Sequence, residues 1–186
     1  MLDKERFIED CRADVRDSDV RGAIRELVTR AVGAPAEVIR ALGEPVRSGV
    51  ETLYRGTDVT ILNLHWGPRM DIFPHDHRMW AVIGIYGGCE ANRFFRRREG
   101  GLTQHGTKVL ERGETVVLGE SIIHAVTNPL DQITSAIHVY GGDFFAMTRS
   151  ECHPQTLEEH PYDIAHSTRA FEEANAQLVM APSSVA

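Results

Sequence analysis

The chain has 186 residues, of which 42% are hydrophobic and 25% charged, and its net charge is −7. These values are typical of a globular protein and lack the basic excess of a nucleic-acid-binding surface, so we expect no nucleic acid as a partner. No run of 18 apolar residues could cross a membrane, and the mixed charges at the N-terminus resemble neither a secretory signal nor a transit peptide, so we expect a cytoplasmic protein that does not engage a membrane.

The first quarter of the chain has helical periodicity. Apolar residues recur at spacings of three and four between Phe7 and Val28. The run from Asp17 to Asp19 offers an N-cap for the second helix, and a short third helix is predicted over residues 35–42. We therefore interpret residues 1–47 as a helical extension that either covers the rest of the molecule or serves a homodimer.

Short β-rich runs begin at residue 48 and alternate with Gly, Asn, Asp and Pro. This pattern of short runs and turn residues, without a long helix between the runs, is typical of an all-β sandwich or small antiparallel barrel. The predicted strands are 59–64, 80–86, 93–98, 107–110, 115–118, 125–127 and 134–140. We predict a single domain over residues 1–186, with the barrel at 48–145 and a C-terminal segment at 146–186 that contains one helix near 165–178.

The strongest functional signal is the run Pro74-His75-Asp76-His77. On a strand, residues i and i+2 point to the same face about 6.6–6.8 Å apart, so two imidazoles there can lean onto one ion. The pattern alone is weak, since two histidines in a surface loop produce it as well. A second element runs from Gly113 through a predicted strand and turn to His124, and it suits a third ligand delivered from across a barrel.

Together the two elements resemble the two motifs of the cupin superfamily, over roughly residues 59–140. The matching positions are His75, His77 and Gly88 in the first motif and Gly113, His124 and Asn128 in the second. The resemblance implies a cupin double-stranded β-helix with N-terminal helices and a C-terminal helix. It also implies one divalent transition metal, bound by His75, His77 and His124.

The glutamate of the first cupin motif is absent, since its position carries Ala81, or Val82 under the longer spacing. Three neutral imidazoles leave the full 2+ charge of a bound ion unquenched, which favours an anionic substrate. Open positions on such a site suit Fe(II) and O₂. Fe(II) is the predicted metal, while Ni, Zn, Mn, Co and Cu also bind three histidines.

Among cupins the chain resembles cysteine dioxygenase and mercaptopropionate dioxygenase, and more closely a set of uncharacterised bacterial proteins described as predicted metal-dependent double-stranded β-helix enzymes. The residues that carry the resemblance are Trp66-Gly67-Pro68 before the histidine pair and His138-Val139-Tyr140 after it. It implies that His138 hydrogen-bonds the Tyr140 hydroxyl, which faces bound oxygen or substrate. The alternative is that both side chains simply pack in the barrel.

Two family residues are missing. The serine of the Ser-x-His-x-Tyr run falls at Ala136, and Ser135 is expected on the opposite face of the strand. The cysteine that is cross-linked to tyrosine in the mammalian-type enzyme falls at Val82, so we predict no cross-link. Cys89 is interpreted as a small buried or half-buried thiol, and the three scattered cysteines are expected to be free.

A thiol carboxylate needs a cationic anchor, and arginine suits a carboxylate through its bidentate fork. The resemblance places Tyr54 and Arg55 in this substrate-binding role, with Arg69 and Arg78 as rivals; each of these arginines is alternatively a surface residue. Glu90 either lines the pocket or, as is commoner for a charge on a strand, faces outward.

The leading hypothesis is a mononuclear non-haem iron dioxygenase that uses O₂ to convert a small thiol, of the cysteine or mercaptopropionate type, into a sulfinate. A second hypothesis is another metal-dependent cupin enzyme that acts on a small molecule without a thiol. A third is a barrel without enzymatic activity that binds a metal or a small ligand. Fold resemblance alone cannot choose among the three, because one fold hosts many functions.

Overall fold

The computed structural model describes residues 2–99 and 101–180. Its first three elements are the helices α1 (Lys4–Asp14), α2 (Val20–Val32) and α3 (Pro35–Leu42). Asp3 caps α1 and Asp19 caps α2, because each carboxylate accepts a hydrogen bond from a backbone N–H in the first turn. The predicted N-cap and the predicted third helix are both confirmed.

Two antiparallel sheets follow the helices. Their strands, in chain order, are β1 (Gly49–Arg55), β2 (Thr60–Trp66), β3 (Asp71–Asp76), β4 (Ala81–Gly87), β5 (Cys89–Arg98), β6 (Gly101–Glu111), β7 (Thr115–Leu118), β8 (Ile123–Thr127), β9 (Thr134–Tyr140), β10 (Ser150–Cys152) and β11 (Glu159–Pro161). The strand order is β1-β2-β9-β4-β7 in one sheet and β11-β10-β3-β8-β5-β6 in the other. Helix α4 (Ile164–Met180) is the last described element.

The strand order is that of a double-stranded β-helix. The eight strands from β2 to β9 divide into the orders β2-β9-β4-β7 and β3-β8-β5-β6, so the chain crosses repeatedly from one sheet to the other. Eight strands in two such facing sheets form the jelly roll that cupins share. The predicted all-β fold class is therefore confirmed, and the hydrogen-bonded pairing of β3 with β8 brings the two predicted metal motifs together.

Alternate residues of β4 belong to two different cores, as expected when side chains on a strand alternate between faces. Ala81 and Ile83 point between the sheets. Val82 points outward and packs with the helices. Gly84 lies on this outer face, where a Cβ would be 2.5 Å from a Val28 methyl carbon, so glycine allows the close approach of α2. The N-terminal helices thus cover one face of the barrel; a homodimer through them stays a prediction.

Helix α4 is attached to the start of β1 through one residue pair. The side-chain oxygen of Asn175 accepts hydrogen bonds from the backbone N–H of Ser48 at 2.7 Å and from its hydroxyl at 2.9 Å, and the Asn175 amide donates to the Ser48 carbonyl at 3.0 Å. A Cβ on Gly67 would lie 2.6 Å from that of Ala174, so glycine again permits close contact. The predicted C-terminal helix is present, and the end of the predicted segment, 181–186, lies outside the described residues.

The observed strands depart from the predicted ranges in several places. Strands β1, β10 and β11 were not predicted, β3 was expected only as the strand that carries the histidine pair, and the β5–β6 hairpin is longer than the two short runs predicted there. These differences arise from tertiary pairing, which overrides local propensity. Within residues 2–99 and 101–180, no helix has the length and apolar character needed to span a membrane.

Candidate metal centre

Three buried histidines converge between β3 and β8. His75 lies on β3 and is paired directly with His124 on β8. His77 lies one residue beyond the end of β3, so the prediction that both histidines of the motif sit within one strand is only partly right. Nε2 of His77 is nevertheless 3.2 Å from Nε2 of His75 and 3.4 Å from Nε2 of His124.

These separations fit a common metal ion. Nitrogen ligands about 2.0–2.1 Å from one ion, at angles of about 90–110°, are separated from each other by about 3.0–3.4 Å. Among the described residues this group consists of the three histidines alone, without a carboxylate. The donor set therefore suits a divalent transition metal bound by neutral nitrogen ligands.

Burial keeps the three imidazoles neutral. It lowers the pKa of His75 to about 4, and it lowers the pKa values of His77 and His124 well below their usual range. A positive charge on one ring would also repel charge on the others, which lowers the pKa values of His77 and His124 further. Neutral imidazoles present the lone pairs that a metal requires.

Hydrogen bonds fix the orientation of two of the rings. Nδ1–H of His75 donates to the carbonyl of Phe73 at 3.0 Å, and Nδ1–H of His124 donates to Oδ1 of Asn92 at 2.7 Å. A proton held on Nδ1 leaves Nε2 with a free lone pair, and such partners commonly orient the histidines that bind metals. Both bonds therefore leave the Nε2 atoms, which face one another, free to bind a metal.

Glu90 supports this arrangement from inside the barrel. Its side chain is 0% exposed, and it accepts hydrogen bonds from Asn92 at 2.9 Å and from the indole N–H of Trp66 at 2.8 Å. The interpretation of Glu90 as an outward-facing strand charge is wrong, because Trp66 and Asn92 supply the buried carboxylate with hydrogen-bond donors inside the barrel. Burial raises the pKa of Glu90. Glu90 and Asn92 are two residues apart, and residues i and i+2 on a strand share a face. This spacing was the sequence signal that places both side chains on the same side of β5.

His138 and Tyr140 make the contact that the resemblance implied. Nδ1 of His138 and the Tyr140 hydroxyl share a hydrogen bond of 2.9 Å. Both side chains are buried, and burial lowers the pKa of His138 to about 3 and raises that of Tyr140. The Tyr140 ring lies edge-on to His77 with 5.0 Å between centroids. Their catalytic role stays a prediction.

Nε2 of His138 has no hydrogen-bond partner within the described residues, and it lies 3.9 Å from a carboxylate oxygen of Glu90. Ala136, which replaces the family's serine, is buried. The hydroxyl of Ser135 lies 3.0 Å from Nδ1 of His65 in another part of the sheet, as the strand alternation predicted. A carboxylate oxygen of Glu90 thus lies near the unpaired Nε2 of His138, and Ala136 supplies no hydroxyl to it.

The structure does not bring Tyr54 and Arg55 to the candidate site. The Arg55 guanidinium pairs with Asp143 at 2.9 Å on the surface, and Tyr54 lies under the guanidinium of Arg12 at 4.9 Å. Strand β1 is an edge strand with a bulge between Thr52 and Tyr54, and the contacts with Arg12 and Asp143 hold these two side chains on the outside of the barrel. Neither residue lines the cavity beside His75 and His77.

The two rival arginines are also engaged elsewhere. Arg69 pairs with Asp131, and both side chains are largely exposed. Arg78 pairs with the buried carboxylate of Asp76 at 2.6 Å. Neither arginine lines the cavity beside the histidines, so another cation must serve if an acid binds there.

A cavity of about 350 Å³ opens beside His75 and His77. Arg149 lines it and is half-buried, with its guanidinium carbon 4.0 Å above the ring of Phe144 and 3.8 Å above that of Tyr162. Arg149 forms no ion pair with another described residue. Sequence reasoning missed Arg149, because Phe144 follows β9 and Tyr162 follows β11, and only the fold brings both rings onto the guanidinium.

No model of a known protein family matches the chain. Several solved structures are similar to it. An RmlC-like cupin family protein with a double-stranded β-helix fold from Methanocaldococcus jannaschii is 13% identical, with 55% of this chain and 86% of that chain covered, at a TM-score of 0.46. The DMSP lyase DddQ from Ruegeria pomeroyi is 17% identical, with 59% and 53% covered, at 0.46. A Bacillus halodurans protein is 14% identical, with 58% and 76% covered, at 0.49.

The fold and the site can be described from the chain's own features. Its strand order defines the architecture, and His75, His77 and His124 define the donor set. Hydrogen bonds from Phe73 and Asn92 orient two of those ligands. The chain therefore has the cupin double-stranded β-helix fold and carries a three-histidine candidate site for a divalent metal.

Proposed function

We propose that the chain is a mononuclear non-haem iron dioxygenase that oxidises a thiol to a sulfinate. The supporting observation is a group of three neutral imidazoles with no carboxylate among them, two of which, His75 and His77, line a cavity that also carries Tyr140 and Arg149. When bound, Fe(II) supplies open coordination positions, Lewis acidity toward a thiol and redox chemistry with O₂. The reaction needs no external reductant: the O–O bond breaks, two S–O bonds form, sulfur loses four electrons and O₂ gains four.

Arg149 is the proposed anchor for a carboxylate on the substrate. Its guanidinium is held between two aromatic faces, which restricts the fork while leaving its edge N–H donors available. Arginine stays charged at any relevant pH and can bind a carboxylate through two parallel hydrogen bonds. An acid bound there would be oriented with respect to the neighbouring histidines, and orientation of the reacting groups lowers the barrier.

Tyr140 is the proposed hydrogen-bonding residue for the reacting groups. It lines the cavity next to His77, and its raised pKa keeps the hydroxyl protonated. When Nδ1–H of His138 is the donor in their shared bond, the Tyr140 O–H is free to donate into the cavity. His138 thereby acts as a positioning residue, and the apolar walls around the pair exclude water from the reaction.

Oxygen uptake tests the proposal. The protein is loaded with Fe(II) under nitrogen, its metal content is measured, and oxygen consumption is followed with cysteine, mercaptopropionate and cysteamine. We expect uptake with at least one thiol, a sulfinate product by mass spectrometry, and both atoms of labelled O₂ in that product. His77→Ala, which removes a ligand, is expected to be inactive. Absence of uptake by iron-loaded protein with every thiol would overturn the proposal.

A second candidate is metal-assisted proton transfer on a small acid that lacks a thiol. The observation that favours it is the buried Tyr140–His138 pair, which resembles an acid–base couple beside a metal. This function would need no oxygen. Thiols would then leave the visible spectrum of the cobalt-loaded protein unchanged, whereas a thiol dioxygenase should show a new thiolate-to-metal absorption.

A further inference from the structure

The cavity is larger than a three-carbon thiol acid requires. Its volume of about 350 Å³ corresponds to roughly a dozen water-sized groups. This size lies within the range of pockets that enclose ligands larger than a single amino acid. A substrate with only a thiol, a short chain and an acid would leave roughly half of the space unfilled.

One part of the wall is apolar. Leu62, Leu64 and Trp66 come from β2, Ile72 comes from β3, and Phe171 comes from α4. The rings of Trp66 and Phe171 stack on each other with 5.6 Å between centroids and 13° between planes, so they join the barrel to the helix in this wall. An apolar wall of this kind favours an apolar group rather than a charged one.

Three polar side chains of this wall, those of Trp66, Ser48 and Asn175, are already engaged. The indole N–H of Trp66 donates to Glu90 at 2.8 Å. Ser48 and Asn175 bond to each other through three hydrogen bonds that hold α4 in place. These groups thus give a ligand little to bond with, in contrast to the guanidinium of Arg149 between its two rings.

We infer that the substrate carries an apolar group, an alkyl chain or an aromatic ring, in addition to its thiol and acid. This group packs against Trp66 and Phe171 beneath α4. The inference rests on the proposed function for the thiol and the acid, while the apolar group follows from the shape and chemistry of the cavity. The preferred substrate is therefore a 2- or 3-substituted mercaptopropionate, and the unsubstituted acid is a weaker ligand of the same site.

Calorimetric binding tests this inference without turnover. Zinc-loaded protein is titrated under nitrogen with 3-mercaptopropionate and with 2-benzyl-3-mercaptopropionate. We expect the benzyl compound to bind at least tenfold more tightly, because its ring leaves water for the apolar wall. Equal or weaker binding of the benzyl compound would overturn the inference.

A matched pair of variants on α4 locates the binding surface. Thr168 is exposed and lines the cavity, so Thr168→Phe is expected to fill the apolar space with little effect on folding. Thr168→Phe should remove the tenfold preference for the benzyl compound and leave the affinity for 3-mercaptopropionate within twofold.

Ala165→Phe is the control. It adds the same ring on the same helix away from the cavity wall and should retain the preference for the benzyl compound. A preference that survives Thr168→Phe would overturn the inference, and thermal unfolding checks that both variants are folded.

The two proposals fail in different ways. If the benzyl preference holds but iron-loaded protein consumes no oxygen with either thiol, the proposed function is wrong and the apolar subsite stands. If iron-loaded protein oxidises 3-mercaptopropionate while the benzyl compound neither binds better nor reacts, the inference is wrong and the proposed function stands.

Discussion

His124 donates a hydrogen bond from Nδ1 to Oδ1 of Asn92 at 2.7 Å, and the Asn92 amide in turn donates to Glu90 at 2.9 Å. The bond to Asn92 places the proton of His124 on Nδ1 and leaves Nε2 free for a metal. Because outer partners of this kind tune metal affinity, Asn92→Ala is expected to weaken zinc or iron binding by roughly 10- to 100-fold. Competition with a chromophoric chelator measures the change.

Asn63→Ala is the matched control for this variant. Asn63 is equally buried and accepts a hydrogen bond from the Tyr86 hydroxyl at 2.8 Å, in the other sheet. Its loss should lower stability and leave metal affinity unchanged. Equal losses of metal affinity in the two variants would show that Asn92 acts only through general stability.

The pH dependence of the metal-free protein follows from the buried histidines. The pKa of His75 is lowered from 6.5 to about 4, so the folded state binds fewer protons than the unfolded state between these values. Stability is therefore greatest above about pH 6.5 and falls as the pH decreases toward 4, by up to about 1.4 kcal/mol per pH unit for this residue. Urea unfolding of wild type and His75→Gln should show a shallower dependence in the variant, and identical slopes would contradict the assignment.

Tyr140→Phe removes the hydroxyl that His138 holds. If that hydroxyl serves the reacting groups, kcat should fall by roughly 100-fold. Iron content should stay at the wild-type level, because Tyr140 is not among the three candidate ligands. Steady-state oxygen uptake together with metal analysis measures both. An unchanged kcat would assign Tyr140 to packing alone.

Arg149→Gln removes the proposed carboxylate anchor. We expect KM for mercaptopropionate to rise by roughly 10- to 100-fold, because a charge-assisted bidentate pair is lost. Cysteamine has no carboxylate, so its kinetics should change little in the same variant. Arg149→Lys keeps the charge without the fork and should recover only part of the loss. A parallel loss for both thiols would contradict the role.

Asp76, the residue between the two histidines of the first motif, is expected to stabilise the fold. Its buried carboxylate forms an ion pair with Arg78 at 2.6 Å and accepts hydrogen bonds from Arg97 at 2.8 Å and from the backbone N–H of Ser150 at 2.9 Å. Asp76→Asn leaves these donors partly unsatisfied and should cost about 2 kcal/mol of unfolding free energy. Chemical denaturation measures the loss.

Asp131→Asn provides the control for Asp76. It breaks an ion pair with Arg69 in which both side chains are largely exposed, so stability should remain nearly unchanged. A loss at Asp131 as large as that at Asp76 would mean that burial does not decide the effect.

The metal ligands could be predicted from sequence because they depend on short motifs. The spacing of His75 and His77 and the turn before His124 carry their information locally, and the pairing of β3 with β8 confirms their convergence. Strand ranges such as 115–118 and 134–140 were also predictable, because alternation and turn residues mark them. The assignment of Tyr54 and Arg55 as substrate residues depended on resemblance alone, and in the structure these side chains contact Arg12 and Asp143 instead.

By itself, the sequence determined the β-rich barrel, its helical flanks and the three histidines, since periodicity and motif spacing act over a few residues. Only the tertiary structure decided that Glu90 faces inward, that Arg149 sits between Phe144 and Tyr162, and that Trp66 stacks on Phe171. Apart from the contact between Arg149 and Phe144, these contacts join side chains from separate segments, and local sequence carries no record of which distant partner a side chain meets. The ligands of the candidate metal are thus encoded in the motifs, whereas the shape of the cavity beside them is set by how the sheets and α4 pack.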